Sequence, residues 1–176
     1  MRPSTARFAY GRREHERRGD AQPFNREDVP RQAGSRLSFQ TLERSSMPFD
    51  IAESFILEVE REIGATLPSS YRSSMLGENG GEIETETDSW ELYPIADTSD
   101  RKRLSRTANH IIRETSLCRA WPGFPEDALA IAGNGTGDQL VFLKQGSVFE
   151  STVYAWSHET AALTKVANEF SALRAP

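Results

Sequence analysis

The sequence predicts an α+β fold, a mainly antiparallel sheet of about five or six strands flanked by helices. Three runs at 128–132, 139–143 and 152–156 are each about five residues long and are apolar or rich in β-branched and aromatic types. Gly, Asn, Asp or Ser clusters bound each of them. Turns that short make antiparallel neighbours. Helical patterns gather on both sides of this meander, which implies helices layered on a sheet and not a doubly wound parallel core.

The folded part opens at Asp50, which reads as an N-cap with Glu53 three residues on and Phe49 as a staple. Phe55, Ile56, Val59 and Ile63 form an apolar stripe that stops at Gly64. A second, short helix starts around Leu67 and Pro68, with proline in its first turn, and runs to about Leu76. Asn79, Gly80 and Gly81 then turn the chain. Residues 82–88 alternate strictly. As one strand they would project Glu82, Glu84, Glu86 and Asp88 from one face, about 7 Å apart, with Ile83, Thr85 and Thr87 on the other.

Trp90, Leu92 and Ile95 continue into a second strand or extended segment, interrupted by Pro94. Asp97 to Asp100 offer caps for a helix with Leu104, Ala108, Ile111, Ile112 and Thr115 on one stripe. A rigid loop at 121–125 leads into the meander. Past Trp156, the spacing of Leu163, Val166, Ala167 and Phe170 predicts a last helix, capped by His158 and Glu159.

Composition bounds the chemistry. The chain has 176 residues, enough for one domain with appendages, and a net charge of −5. Residues 1–46 hold ten arginines and six acids, a charge of +4, so the remainder carries −9. That segment shows no sustained apolar period. It reads as a disordered basic arm or as a leader upstream of the true start at Met47, with the domain over 47–174. An acidic body disfavours nucleic-acid phosphates and suits a partner with a basic surface.

Cys118 is the one cysteine among three histidines, so neither a disulfide nor a convincing metal site is expected, and no cofactor is implied. Such cysteine usage fits a reducing cytoplasm. No apolar run approaches the length of a membrane span, and no secretory signal is visible.

The motifs in order are these. Residues 58–64 are followed by Leu67-Pro68-x-x-Tyr71, Asn79-Gly80-Gly81 and Leu92-x-Pro94-Ile95. After these come Phe124-Pro125-x-Asp127-Ala128-Leu129-x-Ile131-Ala132, Gly135-x-Gly137-Asp138-x-Leu140 and Val153-Tyr154-x-Trp156-x-His158-Glu159. This series resembles the SUKH superfamily in its Smi/Knr branch, across essentially the whole acidic body. The resemblance implies an antiparallel sheet of about six strands with helices, and no catalytic activity. It also implies an immunity protein that neutralises a cognate polymorphic or contact-dependent toxin, often a nuclease, by direct binding. The alternative it carries is a regulatory scaffold for endogenous proteins, as in fungal cell-wall assembly regulators.

The candidate partner-binding residues are Glu82, Glu84, Glu86, Asp88 and Trp90. The carboxylates would stand in for phosphates in a toxin's basic groove, or form an ordinary solvated sheet face. Trp90 would be an aromatic anchor or a core residue. Gly80, Gly81, Gly135, Gly137, Asp138 and Trp156 read as structural. The glycine loop at 134–138 precedes a strand and not a helix, so it is expected to be a hairpin turn with Asp138 bonding within it, not a phosphate cradle.

Three further groupings offer less. Ser157, His158 and Glu159 are consecutive and cannot form a triad among themselves, and Cys118 reads as an apolar helix residue, so a hydrolase finds no support. Asp127, Asp138 and Glu159 lack a spaced cation-binding loop. Arg101, Lys102, Arg103 and Arg106 read as a solvated helix face, although four cations at a helix start oppose its dipole.

Overall fold

The structure is a computed structural model that describes residues 49–173; the arm or leader expected over 1–46 lies outside them. Helices α1 (Glu53–Ile63) and α2 (Ser69–Gly77) lead into strands β1 (Glu82–Glu84) and β2 (Ser89–Leu92). Helices α3 (Arg101–Arg106) and α4 (Ile111–Cys118) follow. The chain then forms β3 (Ala128–Gly133), β4 (Gln139–Gln145), β5 (Val148–Phe149), β6 (Val153–Trp156), β7 (Leu163–Ala167) and a closing 3-10 turn, Phe170–Leu173. All strand pairs are antiparallel, in the order β1-β2-β3-β4-β6-β7, with β5 added to β4. The α+β sheet is therefore as expected, with β5 and β7 beyond the strands anticipated.

Strand β3 is buried along its whole length because both faces of the sheet are covered. Leu129, Ile131, Leu140 and Phe142 join Ile56, Val59, Tyr71, Met75 and Phe170 in the larger core cluster. Ala128, Ala130 and Val141 face the other way, onto Cys118, Phe124 and Trp156. A bulge between Ala130 and Ala132 interrupts the β3–β4 ladder. The Ala130 N–H donates instead to Thr115 Oγ1 at 3.0 Å, so the bulge docks α4 on the sheet without stranding a buried donor.

Four expectations are corrected. Helix α1 begins at Glu53 after Ala52, with no side-chain cap, so Asp50 is not its N-cap. The Asp50 carbonyl is instead drawn to Arg103 Nη1 at 2.8 Å, and the Ile51 N–H donates to Leu76 O. Gly64 does end α1 in the left-handed region, and Lys144 Nζ donates to Ile63 O.

The helix expected across 101–115 is two helices. Asp100 caps α3 by accepting from the N–H groups of Lys102 and Arg103. The ladder then stops at Thr107, and the Ile111 N–H donates to Pro94 O, outside the helix. Leu104 is half exposed as a result, and the buried stripe is Ile111, Thr115 and Cys118.

The last helix expected from Leu163 onward is strand β7. An isolated helix of that length is marginal, whereas pairing on β6 satisfies the backbone of both segments at once. Of the stripe, only Phe170 is buried. His158 and Glu159 consequently lie in the β6–β7 turn and cap no helix.

The single strand expected over 82–88 is a hairpin, which decides where the carboxylates stand. Among the described residues no helix is long and apolar enough to cross a membrane.

Candidate functional site

The hairpin exists because Thr85 saturates its own hydroxyl. Thr85 Oγ1 donates to Asp88 O at 2.9 Å and accepts from the Asp88 N–H at 3.1 Å and from Trp90 Nε1 at 3.2 Å. One donor and two acceptor positions are thereby filled. With the Thr85 N–H also donating to Asp88 O at 2.8 Å, the alternation breaks after Glu84 and the chain reverses. The inward set is Ile83, Trp90 and Leu92, all in the larger core cluster. Trp90 is 4 % exposed, the burial of a core residue, with its ring in the floor of a groove.

The outward set is acidic. Glu82 and Glu84 project from β1, and Glu82 is paired directly across the ladder with Glu91. Like charges in that position oppose pairing by about 0.2–1 kcal/mol. Glu86 is exposed in the turn. Among the described residues, none of Glu82, Glu84, Glu86 or Glu91 takes part in an ion pair. Asp88 differs from its neighbours because its carboxylate is engaged, accepting from the Ser89 N–H and, at 2.6 Å, from Asn134 Nδ2.

That last bond ties the hairpin to the β3–β4 turn. Asn134 Oδ1 accepts from the N–H groups of Thr136 and Asp138, so Asn134 closes the turn, and Gly135 and Gly137 supply its positive φ. Asp138, expected to bond within its own turn, reaches out of it. Its Oδ1 accepts from the His158 backbone N–H at 2.9 Å and meets His158 Nδ1 at 2.8 Å. Burial pushes the Asp138 carboxyl pKa up, but the His158 bonds and charge outweigh it and hold it below the ordinary value. Three turns are thus laced along one end of the sheet.

Behind this rim lies a groove of about 880 Å³. One wall is the hairpin tip from Glu84 to Asp88, and the other is β7 with the residues just after it. These walls come from opposite ends of the strand order, so the curl of the sheet brings its first hairpin and its last strand to one cleft. Among the described residues, the titratable side chains lining it are Glu84, Glu86, Asp88 and Asp138 against Lys165.

The remaining singled-out residues make their contacts within the fold. Asn79, buried past the open end of the β1–β2 pair, donates from Nδ2 to Ile95 O and accepts from the Ile95 N–H, and Gly80 and Gly81 continue the turn at φ near +100°. Trp156 is fully buried, donates to Gly123 O and packs edge-on to Phe124. Burial pushes the Cys118 thiol up to about 11, so it is protonated at neutral pH. Among the described residues no hydroxyl or thiol is bonded to His158 Nε2, and no cluster of three or more metal-ligating side chains occurs.

The basic cluster is divided in its use. Arg103 donates to the buried carboxylate of Asp97 at 2.9 Å and lies over the Phe49 ring at 4.7 Å, with Arg106 at 5.1 Å from the same ring. Arg101 and Lys102 stay exposed. Nothing in the local pattern around Asp97 signalled this clamp, since its partner lies on the first turn of a helix it was expected only to cap.

No curated protein matches the chain. The family description SMI1 / KNR4 family (SUKH-1) matches residues 50–175, which includes both walls of the groove and every turn of its rim. With that match covering most of the sequence, over an antiparallel sheet carrying helices on both faces, the chain belongs to the SMI1 / KNR4 family (SUKH-1).

Proposed function

We propose that this protein is a cytoplasmic immunity protein that neutralises a cognate toxin by direct binding, without chemistry of its own. The observation that carries the reading is the pairing of Glu82 with Glu91, next to the unpaired carboxylates of Glu84 and Glu86. A surface that concentrates like charge at a cost in stability, and pairs none of it with a cation among the described residues, suits a positively charged partner. Such a surface speeds encounter with a basic groove, as in a nuclease that holds phosphates. Asp88 fixes the hairpin that presents the charges, and Trp90 holds it on the core. Family membership supports a protein-binding role, and the protonated Cys118 thiol supports work done by shape and charge.

The test is co-expression with the product of the adjacent gene, followed by association kinetics. Relief of toxicity and a stable complex are expected. The Glu84→Lys, Glu86→Lys double variant should associate about tenfold more slowly at low salt, with the difference shrinking as salt rises. Equal association rates at low salt would remove the acidic surface from the interface. Absence of any complex with a toxic neighbour, alongside capture of an endogenous protein, would replace immunity by the scaffold reading.

A further inference from the structure

Strand β7 ends the sheet, and among the described residues no backbone–backbone hydrogen bond reaches it from the side away from β6. The phase of its free edge follows from the turn. Ser157 N–H donates to Ala162 O, so in the alternation of an antiparallel ladder Thr164 turns toward β6, while Leu163 and Lys165 aim their N–H and C=O groups outward. Leu163 to Lys165 are exposed, and Leu163, a large apolar side chain, is 38 % exposed. One lysine guards this edge, a light protection for an unpaired strand.

The same strand is a wall of the acidic groove whose far wall is the hairpin tip. We propose that the partner docks by adding an extended, basic segment as a further strand along β7, with alternate side chains reaching across the groove to Glu84 and Glu86. The free edge supplies main-chain pairing, and the carboxylates select the occupant by charge. A second copy of this chain fits less well, because antiparallel β7–β7 pairing centred on the strand would set Lys165 against Lys165. This inference rests on the reading of the acidic surface as a docking site and adds its mode.

The probe is a peptide of about eight residues alternating Arg and Val, the length of an ordinary strand, with an alternating Glu and Val peptide as control. The Arg-Val peptide should bind the full chain saturably and protect the amides of Leu163 and Lys165 from exchange, while the Glu-Val peptide does neither. Lys165→Pro removes an outward N–H without breaking the β6 pairing, and proline is tolerated at such edge positions. It should weaken binding about tenfold, the loss of one hydrogen bond in the complex, whereas Lys165→Ser should not. Saturable binding that leaves the Leu163 and Lys165 amides unprotected would overturn the proposal, as would the absence of binding. Protection at Leu163 and Lys165 in the free chain that grows with protein concentration would assign the edge to self-association. The exchange readout on the unsubstituted protein decides the matter even if Lys165→Pro unfolds. If Lys165→Pro still binds the co-encoded toxin with unchanged affinity, strand addition fails and immunity stands; if no toxin binds while the peptide results hold, immunity fails and the docking mode stands.

Discussion

The Cα of Gly137 lies against the imidazole of His158, so that a Cβ at position 137 would meet the ring at 2.9 Å. The residue sits at φ +118°, where L side chains are strained in any case. Glycine is required here twice over, once by the backbone and once by the ring that Asp138 holds in place.

Gly137→Ala should therefore destabilise the fold by about 2 kcal/mol or more. Adding His158→Ala should recover the steric share and leave the backbone share, which a double-mutant cycle in urea separates. A Gly137→Ala cost within about 0.5 kcal/mol would contradict the close approach.

Asp97 and Asp138 set the response to acid. Burial raises each carboxyl, but bonds from Ser99 and Arg103 to Asp97, and from His158 to Asp138, bring both below the ordinary value of an aspartate in the unfolded chain. Their contribution to stability is complete above that unfolded value and is lost as pH falls through the lower folded values. Unfolding curves should show stability declining below about pH 4, and Asp138→Asn should make that decline shallower. An unchanged slope would show that Asp138 carries no differential proton binding.

Asp97→Ala should cost about 2 kcal/mol, because the Ser99 N–H and hydroxyl and the Arg103 guanidinium all lose an acceptor with 1 % side-chain exposure. The effect belongs to folding. Association with a basic partner should be unaffected at temperatures where the variant is folded.

Glu82→Lys separates stability from binding. Replacing one of two facing glutamates by a cation opposite Glu91 should raise stability by about 0.5 kcal/mol while slowing association with a basic partner. A variant both less stable and unimpaired in binding would remove the argument that the acidic pair is kept for a partner.

Trp90→Ala should cost about 3–5 kcal/mol, the range for truncating a buried aromatic ring. Heat or urea unfolding measures it directly. A variant of native stability with lost binding would return Trp90 to the interface as an anchor.

Local patterns were legible wherever neighbours in sequence are neighbours in space. The apolar runs that became β3, β4 and β6, the stop of α1 at Gly64, and Asp100 as a cap are all decided within a few residues. Two strong periodicities misled. Alternation over 82–88 is equally compatible with a hairpin once Thr85 can bond both Asp88 and Trp90. The stripe from Leu163 to Phe170 fits a helix only if an apolar face awaits it, and the unpaired backbone of β6 was the stronger claim.

By itself the sequence determined the α+β class, the acidic balance of the body and the scarcity of reactive groups, because these follow from composition and short-range pattern. Tertiary structure alone decided that Glu82 faces Glu91, that Asp138 grips His158, and that the first hairpin and the last strand wall one groove. Each joins segments whose pairing depends on sheet order and curl, and those emerge only when every buried backbone group has found its partner.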